Sequence, residues 1–183
     1  TTAGELHVWS FARREATSLP GFPFRTAPLV EPRGAAYGST AGIDPALLRE
    51  SIVAAPALGD VTGDGQVELV VATRAGQLYL IDRHGELLPG WPRRLPDVEL
   101  PCSPPCRGNP QRPRDLLGSP VLAELDALPG LEILLVGFDD RVHALRADGT
   151  PLRGWPVELV VSPAASSLAP WSTPVVADFT GDG

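Results

Sequence analysis

The stretch DVTGDGQVE (60–68) places Asp60, Thr62, Asp64, Gln66 and Glu68 at alternate positions. Counted from Asp60, positions 1, 5 and 9 supply carboxylates, position 3 a hydroxyl and position 7 the backbone carbonyl of Gln66. Gly63 and Gly65 let the chain curl tightly enough for those oxygens to converge. Such a set suits a hard cation that takes about six to eight oxygen ligands in flexible geometry, as Ca2+ does. Mg2+ demands near-ideal octahedral geometry, and zinc or copper would call for His or Cys, so Ca2+ is the expected ion. No Glu stands at position 12 and the flanks read as a hairpin, which excludes an EF-hand. The competing reading is a plain Asp-Gly turn with solvated carboxylates. Three acids in register with two glycines weigh against it.

The hexapeptide returns as DFTGDG (178–183), adding Asp178, Thr180 and Asp182 as candidate ligands without the position-9 acid. A third version, ELDALPGLE (124–132), keeps Glu124, Asp126 and Glu132 but has Leu128 at position 5 and Pro129 where a glycine is wanted. That loop is expected to have lost its ion. Its flanking strand patterns persist, so calcium is expected to reinforce individual sheets rather than to be required by the fold.

These loops sit inside an internal repeat, the first thing to seek in a chain of short strands. Residues 51–95 align with 117–159 without a gap, at an offset of 64: Pro56 with Pro120, Glu68 with Glu132, Gly85 with Gly149 and Trp91 with Trp155. Residues 4–25 match the second half of this unit and 171–183 its first half. Each whole unit reads as four short strands, in the first about 52–58, 67–73, 77–82 and 87–95. Turns as short as TGDG, RAGQ and RHGE join antiparallel neighbours.

The expectation is therefore an all-β chain of four-stranded antiparallel sheets in the manner of β-propeller blades. It divides into a half blade (1–26), an insertion (27–50), a complete blade with a calcium loop (51–95), an insertion with a Cys pair (96–116), a complete blade with a degenerate loop (117–160) and the start of another blade (161–183). DPALLRES (44–51) is expected to form one short helix. An unrelated β-sandwich is the competing architecture. About two and a half blades cannot close a ring, which needs four or more. The expected partner is thus the remainder of a propeller in a longer parent chain.

The repeat also bears on other reactive side chains. His7, Tyr79 and His143 occupy one slot in LHVW, LYLI and VHAL, which marks a packing position rather than a proton-transfer site. Phe22, Trp91 and Trp155 share the slot between Gly and Pro and are expected to pack on their own or a neighbouring blade. His84, in a turn, is expected to be solvated. Cys102 and Cys106, in PCSPPCRGNP, are read as a possible local disulfide, with two free thiols or metal binding as alternatives. A disulfide would imply an oxidising compartment.

Composition narrows the function classes. The 183 residues carry 19 Gly and 21 Pro, yet apolar runs such as VELVVAT and LEILLVGF indicate strands rather than disorder. The net charge is −7 and the basic residues, apart from histidine, are all Arg. No basic patch stands out, which argues against a nucleic-acid partner. No apolar stretch approaches the length of a membrane span. Neither G-x-S-x-G nor H-E-x-x-H occurs, so no catalytic residue is assigned.

LGDVTGDGQVELVVATRAGQLYLID resembles the FG-GAP and VCBS-type repeats of integrin-α-like β-propellers, whose loop runs approximately D-x-[DN]-x-D-G-x-x-[DE]. The tails HGELLPGWP and DGTPLRGWP look like the bacterial versions. The resemblance implies a propeller of seven or eight blades, secreted, periplasmic or on the cell surface, acting in adhesion or in binding a protein or carbohydrate. It implies Ca2+ on Asp60, Thr62, Asp64, the Gln66 carbonyl and Glu68, and on Asp178, Thr180 and Asp182. Thr62 and Thr180 depart from the commoner Asp or Asn. A non-enzymatic module is the expected function. The alternative is the propeller part of a secreted enzyme, such as a polysaccharide lyase or hydrolase, with its active site elsewhere.

Overall fold

A computed structural model describes residues 4–12, 15–29, 48–95, 118–137, 141–159 and 172–181. Among these there is no helix, and so none long and apolar enough to cross a membrane. The strands form four antiparallel sheets. One whole repeat builds β5 (Ala57–Gly59), β6 (Glu68–Ala72), β7 (Gln77–Ile81) and β8 (Arg93–Arg94), hydrogen-bonded in chain order. The next builds β9 (Val121–Ala123), β10 (Glu132–Val136), β11 (Arg141–Leu145) and β12 (Val157–Glu158) in the same order. The register repeats with the sequence: Val71 lies opposite Tyr79 as Leu135 lies opposite His143.

The amino-terminal half unit supplies β1 (Glu5–Leu6) and β4 (Phe24–Arg25) as a pair. Leu6 faces Phe24 as Leu78 faces Arg93, so β1 and β4 stand for the third and fourth strands of a unit. Between them an exposed hairpin, β2 (Trp9–Ala12) and β3 (Glu15–Ser18), takes the place of the short RHGE turn. The Phe22–Pro23, Trp91–Pro92 and Trp155–Pro156 bonds, at one position of three units, are all cis.

The central strands are buried along their whole length, ELVVA in β6 and EILLV in β10. Both faces of the 51–95 sheet are covered by neighbouring units, which is why β6 reads as a continuous apolar run rather than as alternation. Successive residues of β6 serve two cores. Leu69 and Val71 join Leu6, Phe24, Ile52, Tyr79 and Ile81 on one side. Val70 and Ala72, with Leu78, Leu80 and Trp91, join Ile133, Leu135 and Leu145 of the next unit on the other. The two four-stranded sheets are thus stacked through a shared core. Each fully buried aliphatic side chain there contributes roughly 1.5–3 kcal/mol relative to exposure.

Three expectations change. The predicted helix over 44–51 does not extend through its described part: Arg49 pairs with Pro28 in an isolated antiparallel bridge, and 48–51 carry no helical turn. Glu50 is instead buried, its amide donating to the Ala27 carbonyl at 3.1 Å and its carboxylate accepting from the Thr73 and Tyr79 hydroxyls. The outer strands differ from their expected bounds: the first begins only at Ala57 rather than near 52, and the fourth is shorter than 87–95, because the Leu-Pro-Gly-Trp-Pro turn leaves only a bridge at Leu87 and the pair Arg93–Arg94. His7 is not a packing residue; its side chain is 41% exposed and lies 3.4 Å from Glu5, whereas Tyr79 and His143 in the same slot are buried. Tyr79 does more than pack. Its hydroxyl donates to Glu50 Oε2 at 2.9 Å and accepts the Ala27 amide at 3.0 Å, fastening the ends of the 27–50 segment to the sheet.

Candidate metal centre

The loop joining β5 to β6 gathers the predicted carboxylates. One oxygen from each of Asp60, Asp64 and Glu68 lies within 4.8 Å of the others. Glu68 begins β6 and is 4% exposed; its Oε2 accepts the amides of Val61 at 2.9 Å and Thr62 at 3.1 Å. Asp60, just past β5, accepts the amides of Gly63 and Asp64 on Oδ1 and of Gly65 on Oδ2. Asp64 Oδ1 accepts the Gln66 amide at 2.8 Å. Gly63 has φ +76°, and a β-carbon on it would lie 2.8 Å from Pro129 and Gly130, so the loop is seated directly on the matching loop of the next unit. The Leu131 amide donates to the Asp60 carbonyl at 2.9 Å across this junction.

Two unit charges at this separation repel by about 3 kcal/mol at the effective dielectric of a protein surface. None of the described basic side chains is paired with Asp60, Asp64 or Glu68. Thr62 Oγ1, at position 3 of the same loop, is buried without a hydrogen-bond partner. Such an atom costs roughly 1–3 kcal/mol when unsatisfied. Three converging carboxylates and an orphaned buried hydroxyl, with no nitrogen or sulfur donor among them, fit a hard oxygen-seeking cation.

The degenerate loop between β9 and β10 also brings its acids together, Glu124, Asp126 and Glu132 within 4.8 Å. Glu132 Oε2 accepts the Leu125 amide at 2.8 Å, repeating the Glu68–Val61 contact. The difference lies at Asp126, whose Oδ2 accepts from the Arg146 guanidinium. That hydrogen bond, followed by the Leu128 amide, holds the Asp126 carboxyl below the usual carboxylate range. Sequence reading missed Arg146. The available signal was its alignment with Asp82, a reversal of charge at the first residue of a turn.

Of the carboxy-terminal candidates, Asp178 Oδ1 accepts the amides of Thr180 at 3.1 Å and Gly181 at 2.7 Å, the latter as Asp60 does from Gly63. Asp182, Cys102 and Cys106 lie outside the described residues. His84 is exposed, as expected, and its amide donates to Asp82. Trp91 is 7% exposed, and its indole donates to the Ala147 carbonyl of the next unit at 2.8 Å. Phe22 packs on the core shared with the 51–95 sheet and Trp155 on its own sheet. No family model matches the chain, and a search of curated proteins finds no match.

Proposed function

We propose that this chain is a non-catalytic, calcium-stabilised segment of a β-propeller that serves outside the cytoplasm as a scaffold or ligand-binding module. The observation that carries the reading is the buried, unpartnered Thr62 hydroxyl beside the Asp60, Asp64 and Glu68 carboxylates. A bound Ca2+ would supply positive charge to that set and fix the loop between the first two strands of the unit. The loop's own glycines and amides do the shaping. The spacing of the motif and its resemblance to FG-GAP and VCBS-type repeats favour Ca2+.

The larger ring is supported by one apolar face. Leu125, Leu134, Val142 and Trp155 are the offset counterparts of Val61, Val70, Leu78 and Trp91, which are buried against the next unit. In the second unit the same four positions line an open groove of about 520 Å³. Phe179, the counterpart of Val61, is 91% exposed where Val61 is 2%. A further sheet of the same kind would cover this face as the 118–159 sheet covers its neighbour.

The test is thermal melting of the chain with 10 mM CaCl2 or with EDTA. Extracellular calcium modules bind at about 10⁻⁴–10⁻³ M, which corresponds to about 1.4–2.7 kcal/mol of stabilisation and a rise of roughly 3–10 °C. Asp64→Ala should remove that rise. Superimposable curves in calcium and EDTA would overturn the reading.

A further inference from the structure

We propose that Arg146 is a built-in counter-ion that takes, in the second acidic loop, the place a cation takes in the first. The inference rests on the reading of 60–68 as a cation loop, and the internal repeat provides the comparison. At the offset of 64, Asp60, Thr62, Asp64 and Glu68 correspond to Glu124, Asp126, Leu128 and Glu132. Both loops retain three clustered carboxylates. Only their neutralisation differs.

Three substitutions between the units belong together. The position-5 acid Asp64 becomes Leu128, which removes one candidate ligand. The position-3 hydroxyl Thr62 becomes Asp126, which restores the negative charge one step along the loop. Asp82, at the start of the turn after the third strand, becomes Arg146, and the new guanidinium reaches Asp126. Glu132 and Asp148 also lie close enough to favour its charged form. In the first unit Asp82 closes its turn by accepting the amides of His84 and Glu86, each at 2.8 Å. In the second unit that duty passes to Asp148, the counterpart of His84, whose Oδ1 accepts the Thr150 amide at 2.8 Å and hydroxyl at 2.6 Å. The turn therefore keeps its cap while position 146 is released to face the loop.

The unsatisfied atoms agree with this assignment. Among the described residues the buried side-chain polar atoms without a partner are Thr62 Oγ1 and Arg146 Nε, one at each loop. At position 3 of the first loop stands a buried hydroxyl oxygen that no protein group satisfies. At position 3 of the second the oxygen has a cation, supplied covalently by the chain. A guanidinium is always charged and needs no free ion, so the 118–159 sheet holds its loop whatever the calcium concentration. Of the two whole units, the 51–95 unit is then the calcium-sensitive one, and within 118–159 that sensitivity is suppressed by a single side chain.

The experiment is calcium titration of Arg146→Gln and Arg146→Lys beside the unaltered chain, followed by thermal melting with 10 mM CaCl2 or EDTA. Arg146→Gln exposes three uncompensated carboxylates, so its melting temperature in EDTA should fall below that of the unaltered chain. Its calcium-dependent rise should be larger, roughly doubled if the new site matches the first, with one additional ion bound per chain. Arg146→Lys keeps the charge and should add no calcium response. Should Arg146→Gln be unfolded in EDTA, refolding on addition of calcium supports the proposal, and failure to refold overturns it. A calcium response of Arg146→Gln no greater than that of the unaltered chain also overturns it. The two readings separate cleanly: a response in Arg146→Gln but none in the unaltered chain sinks the 60–68 site alone, whereas equal responses in both sink the counter-ion alone.

Discussion

The amide of Ala55 donates to Oγ of Ser119 at 3.1 Å, and the amide of Ser119 donates to Oγ1 of Thr173 at the same distance. Each of these residues precedes a proline, Pro56, Pro120 and Pro174, so one position in three successive units touches itself. The segment ahead of β5 and β9 is therefore where equivalent positions of successive units meet directly. The hydrogen bonds run in one direction, each unit donating to the next.

Close apposition at these positions predicts an asymmetry between two neighbouring substitutions. A β-carbon on Gly118 would lie 2.4 Å from the Ser172 carbonyl oxygen, a backbone atom that cannot move aside alone. Gly118→Ala should destabilise the chain by about 1–3 kcal/mol, as overpacking does. Ser119→Ala removes only the acceptor of a solvent-exposed hydrogen bond and should cost no more than about 1 kcal/mol. Urea unfolding of both variants checks the order, and a larger loss for Ser119→Ala would refute it.

Glu68 and Asp64 should differ in a second way. Glu68 is buried and already accepts two amides, a duty Glu132 shares in a loop that lacks the position-5 acid. Asp64 is exposed and accepts only the Gln66 amide. Glu68→Gln should therefore lose about 1.5–3 kcal/mol with or without calcium, the usual worth of hydrogen bonds to a charged group. Asp64→Ala, which also removes a repelling carboxylate, should melt no lower than the unaltered chain in EDTA. Equal behaviour of the two variants in EDTA would show that Glu68 serves only a cation.

Tyr79 sets an alkaline limit. Burial is the largest influence on its phenol and pushes the pKa above the ordinary 10.0; the neighbouring Glu50 carboxylate pushes the same way, while the Ala27 amide opposes them. The folded state therefore holds this proton more tightly than the unfolded chain. The stabilisation is complete below pH 10 and is lost as pH rises above it. Tyr79→Phe should cost about 1–3 kcal/mol at neutral pH, because Glu50 and the Ala27 amide each lose a buried partner. It should also flatten the decline in melting temperature between pH 10 and 11. A decline as steep as that of the unaltered chain would assign the alkaline limit to another group.

Much of this architecture was legible in the residues. The offset of 64 aligned Pro56 with Pro120 and Trp91 with Trp155, and the register of β6–β7 and β10–β11 follows it pair for pair. The acidic loops were legible because oxygen donors at alternate positions with interleaved glycines are a local pattern. His7 was misread because a shared slot does not ensure shared burial: the slot is covered at Tyr79 and His143 and open at His7. The helix expected over 44–51 does not extend through its described part, 48–51, because a local start signal says nothing about a distant sheet. Glu50 is drawn to Thr73, Gln77 and Tyr79, more than twenty residues away.

What the sequence by itself determined is what depends on short range and on repetition: strand-forming runs, turns punctuated by glycine and aspartate, and the clustering of three carboxylates within nine residues. Tertiary structure alone decided which charges meet. Arg146 follows Asp126 by twenty residues and comes from a different strand pair, and only the closing of β10 on β11 brings the guanidinium to the carboxylate. Local propensity acts between near neighbours, whereas Coulombic pairing depends on distance in space. Two loops that read as an intact cation site and its decayed copy thus become, once folded, one acidic cluster without a protein counter-ion among the described residues and one that carries its own.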